Sequence, residues 1–320
     1  MMSDRSHTTL ATIDVGTNTT LLLVARAAQD GGVTVLEERA EITRLGRGIG
    51  TTGQLGAAGI AATLEVLREY VAIARRHGAR IAAIGTEGLR RAANADEFLL
   101  PARAILSGEV EVQVEVIDGA REAALTFRAV TESFPALARA QAPLIVVDIG
   151  GGSTEIIVAQ RGAVRLRTSL PLGSVRLTER HIHNDPPAGA ELDAARAAIA
   201  GELETSGLRA ALPDGAATLV GVAGTVTSLA AMAQSLASYD PTRVHGYALT
   251  SAALDAQIAR LARASQPERE AMPGLDPRRA DVILAGALIL KALVEATHAS
   301  QVVVSDRGIR WGLLYEALGR

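Results

Sequence analysis

The chain has 320 residues, 48% of them hydrophobic and 21% charged, with a formal net charge of −3 and no cysteine. It is longer than one hydrophobic core usually holds, so two domains are expected in an ordinary globular protein. The composition excludes a disulfide framework, thiol catalysis and Cys-ligated metals, and the charge gives no general field for nucleic acid or anionic lipid.

The opening stretch, MMSDRSHTTLATIDVG, is polar where a secretion signal needs an apolar run, so a cytoplasmic protein is expected. Three apolar runs follow, LATIDVG, TTLLLVARA and VTVLEERAEI, which read as an antiparallel meander. After the Gly-rich loop TRLGRGIGTTGQLG, residues 57–77 place Ile60, Leu64, Leu67 and Val71 at helical spacing and stop at Gly78. RIAAIGT reads as a short buried strand, GLRRAANADEFLLPARAIL as a helix, and VQVEVID as an alternating strand. A helix over about 120–132 carries Glu122 in its first turn.

The second half repeats the plan. Residues 143–173 give three more strands, helices follow at about 174–183 and 189–207, and ATLVGV is a strand that leads into a helix opening at Gly224-Thr225. The remainder reads as helical until QVVVSD, followed by a closing helix over 308–318. The most apolar stretch, 282–296, contains Lys291 and Glu295 and is too short to span a bilayer, so it reads as a buried helix. No membrane partner is expected. With aromatics at 2%, no base-stacking platform for single-stranded nucleic acid is expected either.

Residues 12–25 align over 146–159 without a gap, which superposes Asp14 on Asp148 and the Gly16 turn on Gly150–Gly152. Two similar half-molecules, with their turns facing a shared cleft, are the expectation. Glycines at 16 and 150–152 permit positive φ and let backbone N–H groups converge on an anion. Thr17, Thr19, Ser153 and Thr154 add hydroxyl donors and Asn18 an amide. Asp14 and Asp148, at strand ends, can hold Mg²⁺ directly or through its waters. This is not a P-loop, because no Lys follows the glycines and the next element reads as a strand. Either turn alone is an ordinary hairpin signal; two copies with Asp in register point to function. Glu155 falls where the first copy has Leu21. A charge in an otherwise apolar strand faces solvent or serves a site beside Asp148. Gly224-Thr225 opens a helix whose N–H groups can bind phosphate, or is an ordinary strand-to-helix turn.

IDVGTNT, GTEGLRRAANADEFL, VVDIGGGSTE followed by SLPLGSVRLTE, GVAGTVTSL, GLDPRRADVILAGALIL and VVVSDRGIRWGLLYEAL occur in that order. Together they resemble the exopolyphosphatase and guanosine pentaphosphatase (Ppx/GppA) family, within the actin-like ATPase superfamily. The resemblance implies an α/β protein of two similar actin-like (ribonuclease H-like) domains, with mixed sheets flanked by helices and the active site in the inter-domain cleft. The domains would be 1–120 plus 305–320, and 121–304 with helical additions. The implied activity is Mg²⁺-dependent release of orthophosphate from inorganic polyphosphate. The alternatives are 5′-phosphohydrolysis of guanosine pentaphosphate and non-catalytic binding of a guanosine alarmone. A kinase on the same fold would need an adenine site and an acceptor that no feature demands.

By the same resemblance Glu122 activates the attacking water, Arg90 contacts the phosphate chain, Asp148 and Glu155 surround the metal, and Gly16–Thr19 with Gly150–Thr154 form the phosphate cradle. Gly224 and Thr225 match a third such turn. Read without the family, Glu122 complements a helix dipole and Arg90 is a surface arginine. Two departures stand out: Arg121 replaces an acid, and Glu87 places an acid where a neutral residue is common. Arg121 adds a possible phosphate contact and Glu87 a possible repulsion. The chain resembles the short two-domain members, and a homodimer is expected.

Overall fold

The computed structural model describes residues 9–28, 32–107, 114–212 and 217–319. The residues read for a secretion signal up to position 8, and the first two of VQVEVID, lie outside that set. The chain divides into two compact units, Met1–Leu125 with Ile309–Arg320, and Thr126–Gly308.

The first unit is built on a five-stranded mixed sheet. Its strands are β1 (Thr9–Val15), β2 (Thr19–Ala27), β3 (Val33–Ile42), β4 (Arg80–Gly85) and β5 (Val114–Val116), in the order β3-β2-β1-β4-β5. β1, β2 and β3 form the expected antiparallel meander, while β4 and β5 join in parallel through helical crossovers. β1 is buried along its whole length, as a central strand covered on both faces must be. The helix Ala57–Arg76 lays Ile60, Leu64, Leu67, Tyr70 and Val71 into this core, which also holds Ile13, Leu22 and Phe98. Truncating a side chain such as Leu67, fully buried here, costs about 2–5 kcal/mol.

The second unit carries a six-stranded sheet of β6 (Leu144–Ile149), β7 (Thr154–Gln160), β8 (Ala163–Leu170), β9 (Thr218–Val222), β10 (Ala248–Thr250) and β11 (Gln301–Val304). From the meander edge the order is β8-β7-β6-β9-β11-β10, the first unit's plan with one strand added. The likeness extends to irregularities. The β2–β3 ladder slips between Val24 and Ala25, and the β7–β8 ladder between Val158 and Ala159, which are aligned positions of the sequence repeat. The helix Ile283–Ala296 buries ten of its residues at the centre of this unit's helical layer. Lys291 leaves that core to reach Asp255 at 2.7 Å. Among the described residues no helix is long and apolar enough to cross a membrane.

Three expectations need correction. The single helix read over 88–106 is two, Glu87–Arg91 and Asp96–Leu106. Asn94 between them accepts from Leu55 N (2.7 Å) and donates to Leu55 O (3.1 Å), bonds that compete with helix continuation. β10 was not anticipated; three residues are too few for alternation to register. Finally, Gly16, Gly150, Gly151 and Gly152 are not among the positive-φ glycines. The first of them is required by close approach, since a Cβ on Gly16 would meet Thr19 O at 2.8 Å.

Candidate active site

The two glycine turns are closed in the same way. Gly16 N donates to Thr19 O at 3.1 Å, and Gly150 N to Ser153 O at 3.0 Å. In the first turn Thr17 and Asn18 are buried. Asn18 O accepts from Thr43 N and Arg44 N, which anchors the turn to the following loop. Asn18 Nδ2 is buried with no hydrogen-bond partner among the described residues, and a buried unpaired donor calls for a ligand or an ordered water. Thr17 Oγ1 donates to Glu87 Oε2 at 3.3 Å.

In the second turn the carbonyls of Gly150 and Gly151 accept from Ser174, Val175 and Arg176 at the start of the Ser174–His181 helix. Gly173 lies so close that a Cβ there would sit 2.4 Å from Gly151 O. Because N–H and C=O lie on opposite edges of a trans peptide, the N–H groups of Gly151 and Gly152 point away from that helix. Ser153 is buried, and Thr154 Oγ1 donates to Leu172 O at 2.6 Å. Thr154 is thus committed to the scaffold, unlike the cradle donor expected of it.

Asp14 and Asp148 are the penultimate residues of β1 and β6, both buried. Their neighbours differ. Asp14 stands across from Leu21, whereas Asp148 stands across from Glu155 and Glu155 across from Ser169. Residues directly opposite on adjacent strands share a face, so the two carboxylates of the second unit lie side by side. Glu155 is 2% exposed, which rules out the solvent-facing reading. Its Oε1 accepts from Ser169 Oγ at 2.7 Å, and Asp148 Oδ2 accepts from Thr126 Oγ1 at 2.9 Å. Burial pushes the Asp148 carboxyl up to about 6, against the lowering effect of the Thr126 hydrogen bond. Thr126 and Ser169 were missed in the sequence. A helical threonine carries no local signal, but Ser169 follows once the β7–β8 register is known.

Within the first unit the structure brings Glu122 and Arg90 together. The helix Gly119–Ser133 begins after Asp118, whose Oδ1 accepts from Arg121 N at 2.7 Å as an N-cap. That start puts Glu122 in the first turn, 4% exposed. Arg90 Nη1 donates to Glu122 Oε2 at 2.9 Å and to Ile117 O at 2.6 Å. Arg90 is therefore no loose surface arginine. Arg121 instead forms a two-pronged ion pair with Glu316 of the closing helix Ile309–Ala317, and that carboxylate raises its pKa.

The Gly224-Thr225 turn lies in the second unit at the end of β9. Ala223 is left-handed there, at φ 71°, an unusual conformation for a residue with a Cβ. Arg279 covers Gly224 so closely that a Cβ would meet its guanidinium at 2.4 Å. Thr225 packs against Gly286, where a Cβ would come within 2.5 Å of the threonine methyl. Arg279 was not singled out in the sequence. Among the described residues no three His, Asp or Glu side chains converge as a ready metal cage.

The sequence profile of the Ppx/GppA phosphatase family matches residues 23–320. An exopolyphosphatase 2 of Mycobacterium tuberculosis is 36% identical over 98% of this chain and 99% of its own length. A crystal structure of the Aquifex aeolicus Ppx/GppA family member is 34% identical, with a TM-score of 0.78 over 97% of each chain. An exopolyphosphatase from Cytophaga hutchinsonii is 26% identical and superposes with a TM-score of 0.87, covering 97% of this chain and 98% of that one. With two mixed sheets, repeated glycine turns and a match along nearly its whole length, this chain belongs to the Ppx/GppA phosphatase family.

Proposed function

We propose that the protein is an exopolyphosphatase that hydrolyses the terminal phosphoanhydride of inorganic polyphosphate with Mg²⁺ and releases orthophosphate. The observation that carries this reading is the buried Asp148–Glu155 pair, in strand register beside a glycine turn. Two adjacent buried carboxylates are costly unless a cation or a proton sits with them. Their oxygen donors suit a hard cation, and Mg²⁺ characteristically takes one or two carboxylates and completes its shell with water and phosphate oxygens. Asp148 and Glu155 would hold it in the second unit; Asp14 is the carboxylate at the matching place of the first unit's own turn. When bound, Mg²⁺ supplies charge neutralisation on phosphate oxygens.

The protein's own groups do the rest. Glu122 orients a water in line with the scissile P–O bond and takes its proton as the oxygen attacks phosphorus; the shortened chain leaves. Arg90 fixes the Glu122 carboxylate, and its five N–H donors exceed the two acceptors it holds here, so the same guanidinium can meet phosphate oxygens. Gly16, Thr17, Asn18 and Thr19 cradle the anion in the first unit, and Gly150, Gly151, Gly152 and Ser153 do so in the second, where Thr154 Oγ1 is held by Leu172 O. Backbone N–H groups and Asn18 Nδ2 are its principal donors. The Gly224-Thr225 turn adds the N-terminus of an eleven-residue helix with Arg279 against it.

The name of the M. tuberculosis relative, matched along nearly both chains, favours polyphosphate over guanosine pentaphosphate. The two units serve as the two domains of a cytoplasmic homodimer in this reading. Phosphate release from polyphosphate and from guanosine pentaphosphate, with and without Mg²⁺, tests it. Release from polyphosphate at the higher kcat/KM is expected. Release only from the nucleotide would move the assignment to that substrate, and binding without release from either would make the protein a sensor.

A further inference from the structure

The first glycine turn carries a carboxylate that the mechanism does not use. Glu87 opens the Glu87–Arg91 helix and is 4% exposed. Its side chain turns back onto the loop, where Oε2 accepts from Thr17 Oγ1 at 3.3 Å. Thr17 is held from other directions as well. Gly46 N donates to its carbonyl at 2.8 Å, and a Cβ on Gly46 would strike its methyl at 2.4 Å. Gly88 packs beside it, a Cβ there lying 3.2 Å from the hydroxyl oxygen. A threonine hydroxyl has one proton, and here that proton is directed at Glu87. On its other side Glu87 Oε1 accepts from Arg91 Nη1 at 3.0 Å, but the Arg91 side chain is 40% exposed. A buried anion is thus balanced by a cation that water screens.

We infer that Glu87 is a specificity-determining residue of the first turn, setting how strongly that turn attracts a polyanion. It withdraws the Thr17 proton from phosphate oxygens and places a negative charge beside them, and Arg91 offsets that charge. The inference rests on the reading that the Gly16–Thr19 turn receives phosphate. It predicts effects of opposite sign at two neighbouring positions. Glu87→Gln removes the charge and keeps the shape, so binding tightens. Arg91→Gln removes a cation that offsets Glu87, so binding weakens. A purely structural role for the pair would weaken binding in both.

Titration calorimetry with inorganic tripolyphosphate, on the full chain in EDTA at low ionic strength, reads binding without turnover. Glu87→Gln is expected to bind roughly three- to tenfold tighter than wild type and Arg91→Gln weaker by a similar factor, the scale of one partly screened charge. Both differences should shrink with added salt. In steady state with Mg²⁺, Glu87→Gln should lower KM and leave kcat within about twofold, the signature of altered binding common to ground and transition states. Equal or weaker binding by a folded Glu87→Gln overturns the inference. So does equal or tighter binding by Arg91→Gln, which decides the matter should Glu87→Gln fail to fold, and so does a lack of measurable binding in wild type and both variants. Opposite shifts in a protein that hydrolyses no phosphoanhydride would sink the proposed activity and leave this inference standing.

Discussion

In the first unit the penultimate residue of the central strand, an aspartate, faces Leu21; in the second the equivalent aspartate faces Glu155, which faces Ser169 in turn. Three features around that position are shared: the closing hydrogen bond of the turn, the strand order of the meander and the place where the ladder slips. The leucine shows what this scaffold accepts when only packing is asked of it. A glutamate in the same register adds a second buried carboxylate beside the first, which stability alone does not favour. In the proposed reading the second unit's carboxylate pair holds the cation, and Glu122 of the first unit, paired with Arg90, activates the water.

The largest effect expected at the second unit's aspartate is a pH dependence of stability in the metal-free protein. Burial pushes Asp148 from 3.8 to about 6, so between those values the folded state binds more protons than the unfolded one. Stability is then fullest at the acid end and falls as pH rises through that window, by something on the order of 3 kcal/mol. Urea unfolding in EDTA at stepped pH should show this slope in wild type and a flatter one in Asp148→Asn. Equal slopes would remove Asp148 as the source.

Next comes Glu155→Leu, which gives the second unit the residue of the first. Without metal it should be more stable than wild type by about 1–4 kcal/mol, as when a buried charge is replaced by an apolar side chain of similar size. Its phosphate release should need at least about tenfold more Mg²⁺ for half-maximal rate. A lower melting temperature together with unchanged Mg²⁺ dependence would make Glu155 a structural residue. The smallest effect concerns the third turn. Ala223→Gly relieves a left-handed alanine and should stabilise by up to about 1 kcal/mol; destabilisation on thermal unfolding would mean that the alanine methyl is itself packed in place.

Much of the scaffold was legible because it is written in periodicity. The buried helix at 283–296, the two meanders and the alignment of Asp14 with Asp148 all follow from apolar spacing and one repeat. What was hidden depends on long-range partners. The Asn94 side chain breaks a helix because Leu55, far off in sequence, offers it both a donor and an acceptor. The turn glycines looked like positive-φ positions, yet at Gly16 the reason is the approach of a carbonyl. The Arg90–Glu122 pair spans 32 residues and the Asp148–Thr126 bond 22, separations that carry no local pattern. Arg121 looked available to substrate and is instead taken up by Glu316, 195 residues away.

The proposed division of labour between the two units is tested most directly by phosphate release from polyphosphate as a function of Mg²⁺, in Glu122→Gln and Glu155→Gln side by side. Glu122→Gln should lose about 10²–10⁴ in kcat, the scale for removing a general base, and saturating Mg²⁺ should not restore it. Glu155→Gln should recover much of its rate as Mg²⁺ is raised. A Glu122→Gln protein as active as wild type, or two variants with the same Mg²⁺ response, would contradict the account.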